Sequence, residues 1–406
     1  MSLKTNMFKR FIHHFLLRRH FWRYADFDEL SEVYISMIFR GLSISLTGLF
    51  VPLYMLGLGY NATDVLMIPM FYFAARALAF DVLSAYSVAK YGPKHTILLG
   101  NFMLIGSTAL FLTLESVSWP LWLLGTTWGA SASFFFIPFH VGFSKIKHSD
   151  HGGKEIGYVN IMEKLGFAIG PMAGGIIATI FGAQYIFLFA AALLIIGTIP
   201  LFTTSEPVRS NQHLDWKGLD ITHHVRDFLS YTALAVENTI CVFVWPLYLG
   251  LFVLAGSAAY AKLGALSAIS VIASVLSALI IGKLIDRRKG RLLLRVSATL
   301  NAMLHLVRMH IVSYPAAVGL NVANEAVTIG YRMPYHKGLY DSADSLPGHR
   351  IVYIASLELF GSGVKTVMYG LLVLISTIAT DHLTTAIAFG VAAIASLLVM
   401  TERLRI

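Results

Sequence analysis

The chain has 406 residues, 56% of them hydrophobic and only 13% charged, and its mean hydropathy is +0.69. A soluble protein carries roughly 25% charged residues, so this composition excludes a water-soluble globular fold and asks for lipid as the solvent. The net charge of +9 raises nucleic acid as a partner, but the placement of the cations argues against it, and the single cysteine, Cys241, excludes an intramolecular disulfide.

In chain order, residues 1–30 come first. Phe8, Phe11, Ile12, Phe15, Leu16 and Phe21 alternate there with Lys4, Lys9, Arg10, Arg18, Arg19 and Arg23. That pattern predicts an amphipathic helix lying in the cytoplasmic interface, and without an apolar h-region it is not read as a signal peptide. Apolar runs follow near 33–57, 64–88, 95–114, 120–144, 157–180, 184–203, 228–252, 262–283, 292–313, 316–337, 352–378 and 383–401. Each approaches the ~20 residues that cross a hydrocarbon core, and each must be a helix because lipid offers no partner to backbone polar groups. The ninth and tenth are the most polar, holding Arg308, Glu325 and Arg332. The expected fold is an all-α membrane protein of twelve transmembrane helices. Its layout is a bundle over 31–203, a polar linker over 204–227 and a second bundle over 228–406.

Cations mark alternate loops: Lys90 and Lys94; Lys145, Lys147 and Lys154; Arg209, Lys217 and Arg226; the stretch from Lys283 to Arg295; Lys337 and Arg350; Arg403 and Arg405. The intervening loops hold almost none, Lys262 excepted. By the positive-inside rule both termini are cytoplasmic, and the compact loops suggest a prokaryotic inner membrane.

An internal repeat organises the two bundles. Pro52-Leu53-Tyr54 returns as Pro246-Leu247-Tyr248, and Pro138-Phe139-His140-x-Gly142 as Pro334-Tyr335-His336-x-Gly338. Tyr158-x4-Glu163-x2-Gly166 returns as Tyr353-x4-Glu358-x2-Gly361, and the basic loop Lys90–Lys94 around Asp286–Arg291. Six crossings bring the chain back to its starting side, so these are two parallel six-helix repeats, the arrangement of halves that rock about a midplane site.

On these features the chain resembles the major facilitator superfamily over essentially its whole length. Gly282-x3-Asp286-Arg287-Arg288-Lys289-Gly290-Arg291 is similar to that family's gating motif apart from one inserted residue. The first copy departs from it, with Ala85 for the leading glycine, Ala89 for the aspartate and Pro93 for a basic residue. The resemblance implies that Asp286, with Arg287 and Arg291, helps to hold the cytoplasmic gate. The fifth span reads Gly157-x8-Gly166-x3-Gly170-Pro171-x2-Gly174-Gly175. Its glycines give a face that admits a neighbouring helix, and Pro171 permits a kink. The spacing resembles the antiporter motif of proton-coupled drug exporters, although Gly125 stands where those exporters carry an arginine.

Ionisable residues inside the spans cost energy and need a reason. Arg40 and Asp81 lie at similar depth and are expected to pair, as are Arg332 and Glu358; Glu163 lies beside Lys164, which points elsewhere on the helix. Arg76, Glu237, Glu325 and Lys365 lie nearer the midplane, on spans that line the cavity in the family's architecture. Desolvation favours the neutral form of a carboxylate, so Glu325 or Glu237 is expected to carry the proton. Arg76 or Lys365 is expected to meet an anionic substrate group or to compete electrostatically with the proton. Asn238, Asn324, Tyr54 and Tyr248 are further cavity candidates, with helix–helix bonding and interfacial belts as their structural alternatives.

The resemblance implies a monomeric transporter working by alternating access on a small molecule and protons, with no cofactor and no metal. Proton-coupled export of an organic compound follows from the glycine pattern. The alternatives are uptake of a polar or anionic metabolite, a non-transporting receptor or scaffold, and a lipid flippase. No phosphate-binding loop for ATP and no nucleophile with a positioned base is present, so an enzyme is not expected.

Overall fold

The computed structural model describes residues 27–146, 169–202, 212–219, 221–254, 256, 258–286, 290–346 and 348–402. Glu163, Gly166, Arg287 and residues 1–26 of the amphipathic segment lie outside the described residues, as does the side chain of Asp286. All regular elements among the described residues are helical. In the N-terminal half they are α1 (Phe27–Thr47), α2 (Val51–Gly57), α3 (Ala62–Ala75), α4 (Asp81–Tyr91), α5 (Pro93–Leu112), α6 (Leu121–Ile146), α7 (Ile169–Ile180) and α8 (Tyr185–Thr198). In the C-terminal half they are α9 (Val225–Thr239), α10 (Trp245–Phe252), α11 (Ala259–Asp286), α12 (Gly290–Arg308), α13 (Tyr314–Asp344), α14 (Arg350–Ser376) and α15 (Asp381–Leu398).

Among the described residues, eight helical segments are long and apolar enough to cross a membrane, including Ala62–Tyr91, Val225–Phe252 and Arg350–Ser376. Large apolar side chains such as Leu78, Ile180, Ile280 and Ile378 stand exposed on them. Scattered outward over long helices, such side chains have lipid as their natural solvent.

Two of the long segments contain a π-helical turn. Arg76–Phe80 joins α3 to α4, and Ile240–Val244 joins α9 to α10. In each, the following residue reaches back five positions: Asp81 N–H to Arg76 O, and Trp245 N–H to Ile240 O. The extra residue rotates everything beyond it relative to a regular helix, and such turns concentrate at functional sites. Between α4 and α5, Gly92 has φ of +90°, a conformation costly to any residue with a Cβ. It starts α5 with Pro93 at the helix's first position, where the missing N–H costs nothing. The visible linker is not free: Gln212 N–H donates to Ala89 O at 2.9 Å, and Leu219 is buried.

The two halves meet along several helix pairs. The α3–α4 segment packs on α14, α6 on both α13 and α14, and α2 on α10. A large apolar cluster runs across this seam, with Phe50, Leu66 and Phe73 from one side and Phe243, Leu247 and Tyr369 from the other. A second cluster joins Ala85, Val88 and Ile137 to Tyr331, Tyr335 and Tyr353. Positions 76–81 and 358–365 fall between the two. Tyr54 and Tyr248, counterparts in the sequence repeat, are used alike. Each is buried and donates to a carbonyl at the end of a neighbouring helix: Tyr54 to Phe111 O at 3.3 Å, Tyr248 to Ile311 O at 2.9 Å.

The small residues of α7 have a visible purpose. A Cβ at Gly170 would collide with Ser45, one at Gly174 with the Phe50 ring, and one at Gly175 would lie 2.8 Å from Tyr260 O of α11. On the α11 side, a Cβ at Gly264 would lie 2.5 Å from the Pro171 carbonyl oxygen. These glycines let α7 touch α1 in its own half and α11 in the other. Gly125 is explained in the same way, since its Cβ would lie 2.7 Å from Ile68 O of α3.

Gly264→Ala should therefore destabilise the folded protein by about 1–3 kcal/mol through overpacking. Gly390→Ala, where nothing lies within 4 Å, should be neutral or slightly stabilising because alanine favours helix by about 0.5–1 kcal/mol. Thermal unfolding in lipid nanodiscs checks the opposite signs; a loss of equal size in both would contradict the contact.

Candidate functional site

The expected pairs do not form. Arg40, 2% exposed, donates to Asn101 Oδ1 at 2.8 Å and to Ser131 O at 3.0 Å, with its charge over the Phe135 ring at 4.2 Å. Asp81 pairs instead with Arg76, and Arg332 with Glu237 rather than Glu358. The Arg76–Asp81 pair follows from the π turn. Residues five apart on an α-helix point about 140° away from each other at 3.6 residues per turn. Five residues closed by an i→i+5 bond stand one above the other, so Arg76 Nε reaches Asp81 Oδ1 at 3.2 Å.

Arg76 is the hinge of a buried cluster shared by the two halves. Its Nη2 donates to Glu358 Oε2 of α14 at 2.7 Å. Glu358 also accepts from the Tyr231 hydroxyl of α9, and His140 Nε2 of α6 lies 3.8 Å away. His140 Nδ1 is in turn 2.8 Å from the Tyr340 hydroxyl of α13. Asp81 takes Ser133 Oγ from α6 at 2.6 Å and Ser362 Oγ from α14 at 2.9 Å. Glu358, Ser362, Lys365 and Tyr369 succeed one another at spacings of four, three and four, which place them on one face of α14. That face meets Arg76, Asp81 and Phe73, and the Lys365 ammonium lies 4.2 Å from the centroid of the Phe73 ring. Arg76 stands fourteen residues from Ala62 and fifteen from Tyr91, at the middle of its segment.

The second cluster lies within the C-terminal half. Glu237 is fully buried; its Oε2 accepts from Arg332 at 3.0 Å, and its Oε1 has Asn301, His305 and Cys241 each at 3.1 Å. Arg308 donates to Cys241 Sγ at 3.0 Å and lies 5.0 Å from the Trp245 ring centroid. Asn301, His305 and Arg308 come from α12 at spacings of four and three, a periodicity that marks one inward face. Sequence reasoning passed over them because only the other spans were read as lining the centre. Glu237, Cys241 and His305 hold ligand atoms within 4.8 Å of one another. Arg308 and Arg332 donate directly into the same group, so this donor set is occupied by cations already and does not suit a metal ion.

The remaining expected residues scatter. Asn324 is buried and bonds Asn301 Oδ1 at 2.6 Å, in the second cluster. Glu325 is half-buried on α13, Asn238 is exposed, and Tyr54 and Tyr248 are committed to the carbonyls given above. Arg291 Nε lies 3.5 Å from Glu402 Oε1 at the far end of α12.

Removing one member of a buried ion pair strands its partner and costs about 3–5 kcal/mol. Arg76→Met strands two carboxylates, whereas Glu358→Gln leaves Arg76 with Asp81. Denaturant unfolding in micelles should show the larger loss for Arg76→Met; equal losses would mean that Arg76 does not serve both.

A family model described as Major Facilitator Superfamily matches residues 33–331. Multidrug resistance protein 1 of Bacillus subtilis (strain 168) is 26% identical over 188 residues, 44% of this chain and 48% of that protein. The chain thus spans about half the length of that curated relative. The solved E. coli fucose:proton symporter superposes with a TM-score of 0.60 at 15% identity, covering 91% of this chain and 98% of that one. The human organic anion transporter TETRAN does so with a TM-score of 0.65 at 12% identity, covering 92% and 99%. At such identities these structures share the fold.

Proposed function

The chain belongs to the Major Facilitator Superfamily and is a membrane transporter rather than an enzyme, and from that premise we propose that it couples the movement of a small organic solute to protons by alternating access. The supporting architecture is twelve spans in two parallel repeats of six, with cytoplasmic termini in a prokaryotic inner membrane; the matched roles of Tyr54 and Tyr248 favour the repeat. The observation that carries the proposal is the Arg76–Glu358 bridge, a buried charge pair whose members belong to opposite halves.

Protonation of Glu358 removes the charge attraction between α14 and Arg76 of the α3–α4 segment, and leaves the Ser362–Asp81 hydrogen bond and the ring contacts in place. Every other contact Glu358 makes is to a group that either form of the carboxyl tolerates, Tyr231 and His140. The proton site in this proposal is therefore Glu358, with Glu237 as an internal strut, since Arg332, Asn301, His305 and Cys241 around it belong to its own half. Glu325 keeps its place as a second candidate carrier on α13.

Charge decides the sign of coupling. Arg76, Asp81, Glu358 and Lys365 sum to zero, and both carboxylates are already engaged by Arg76. A proton on Glu358 leaves a net positive cluster, which attracts an anion; linkage is reciprocal, so proton and anion favour each other's binding. Uptake of an anionic solute together with protons is the reading preferred on this ground. Export of a small organic compound by exchange with protons is the second reading, favoured by the glycine face of α7 at the seam and by the name of the Bacillus relative.

Lightly buffered suspensions of cells expressing the protein separate the two. Adding a transported organic acid should alkalinise the medium, and Glu358→Gln should abolish the proton signal while tracer exchange persists. Raised resistance to toxic compounds with no alkalinisation by any acid would overturn uptake in favour of export.

A further inference from the structure

Lys365 sits fifteen residues along α14 from Arg350 and eleven from Ser376, and is 5% exposed. Arg76, by repulsion, and Glu358 and Asp81, by attraction, act on it only at longer range. Among the described residues no hydrogen bond and no carboxylate within 4.0 Å meets its ammonium; its contact is the face of Phe73. A buried ammonium met only by an aromatic face lacks most of the stabilisation that a carboxylate partner supplies.

The rings beside it form a closed cage drawn from both halves and filled by the rings themselves, which pack directly on one another. Phe73 stacks on Tyr369 at 5.9 Å and 16°. Phe243 touches Trp128 at 5.5 Å, Tyr72 at 6.0 Å, Tyr369 at 6.3 Å and Phe73 at 6.5 Å, edge to face. Tyr72, Phe73 and Trp128 come from the N-terminal half, Phe243 and Tyr369 from the other, and all five are buried. Phe243 lies in the π turn that follows Glu237. The Tyr369 hydroxyl is fixed by Thr239, donating to its carbonyl at 3.1 Å. Ring–ring contacts across a seam that must part are contacts a flat guest can replace, because offset stacked and edge-to-face partners are interchangeable at these separations.

We propose that this cage is the solute site and that the solute is an aromatic carboxylate, its ring among Phe73, Phe243 and Tyr369 and its carboxylate on the Lys365 ammonium. The inference rests on the transport reading above and gives its solute a chemical class. A cationic aromatic is disfavoured because Lys365 repels it and the neighbouring carboxylates are already held by Arg76. An aliphatic acid satisfies Lys365 but forgoes the rings. Arg76 is held by Asp81 and Glu358, so Lys365 is the cation open to a guest.

Binding to the purified full-length protein in nanodiscs tests this without any transport step. The probes are 1-naphthoate, cyclohexanecarboxylate, 1-naphthylmethanol and 1-naphthylmethylammonium, followed by calorimetry. 1-Naphthoate should bind, the alcohol and the ammonium at least about tenfold more weakly for want of the charge-assisted contact, and cyclohexanecarboxylate about two- to tenfold more weakly for want of the stacked ring. Lys365→Met should weaken 1-naphthoate by on the order of ten- to a hundredfold, and Lys365→Arg should restore most of it, which separates lost charge from misfolding. Phe243→Leu should weaken 1-naphthoate more than it weakens cyclohexanecarboxylate, narrowing the gap between them. Equal binding of the ammonium probe, or 1-naphthoate binding indifferent to Lys365→Met, overturns the assignment. Failure of the transport reading would look different: binding as predicted here, with no proton movement on adding the same acid to cells.

Discussion

Three charges, Arg76, Asp81 and Glu358, stand where two halves of a membrane bundle press together, and the geometry of the arginine lets them stay there. A charge in such surroundings persists only when paired and hydrogen-bonded. Arg76 supplies one bond to Asp81 on its own segment and one to Glu358 on the other half. Serines from α6 and α14 complete the aspartate, and Tyr231 completes the glutamate. The arrangement depends on a local backbone departure, the π turn at Arg76–Phe80, without which Arg76 and Asp81 would face different neighbours.

The layers around this cluster follow from it. Apolar side chains fill the seam on either side of the charges, so water is excluded and the pairing is strong in the state described. Glycines of α7 and α11 bring backbones of opposite halves into contact at another part of the seam. On the proposed mechanism, a seam sealed by packing and latched by charge would part when the latch is neutralised, and two-state interfaces of that kind are what alternating access requires. The aromatic cage with Lys365 lies next to the latch on the same face of α14, so in the proposed scheme a solute in the cage and a proton on Glu358 would act on one another over a short distance.

Much of this was legible in the sequence. Apolar length announced lipid and helices, and the charged residues singled out by their cost include all three members of the latch and Lys365 beside it. The stripe from Glu358 to Tyr369 is readable from spacing alone. The pairing was not, because helical counting assumes 3.6 residues per turn throughout, and one extra residue after Arg76 moves Asp81 onto a different face. Arg332 was matched to Glu358 by counted depth, whereas it reaches Glu237, a residue of the same half that the count placed nearer the midplane; a long arginine side chain spans that difference. The polar face of α12 went unread because Arg308 counted against a span; Asn301, His305 and Arg308 at four and three apart were the signal. Tyr54 and Tyr248 were found as repeat landmarks, but their hydroxyls serve helix ends, which only the neighbouring helices reveal.

The claim on which the rest stands is that protonation at the Arg76–Glu358 bridge lets the halves part. The direct measurement is a pulsed electron–electron double resonance distance between spin labels at Tyr91→Cys, at the end of α4, and Ser345→Cys, just past α13, in a Cys241→Ser background. The distance should lengthen on acidification in the otherwise unaltered protein and should already be long at neutral pH with Glu358→Gln. A distance that ignores both pH and the substitution would contradict the account.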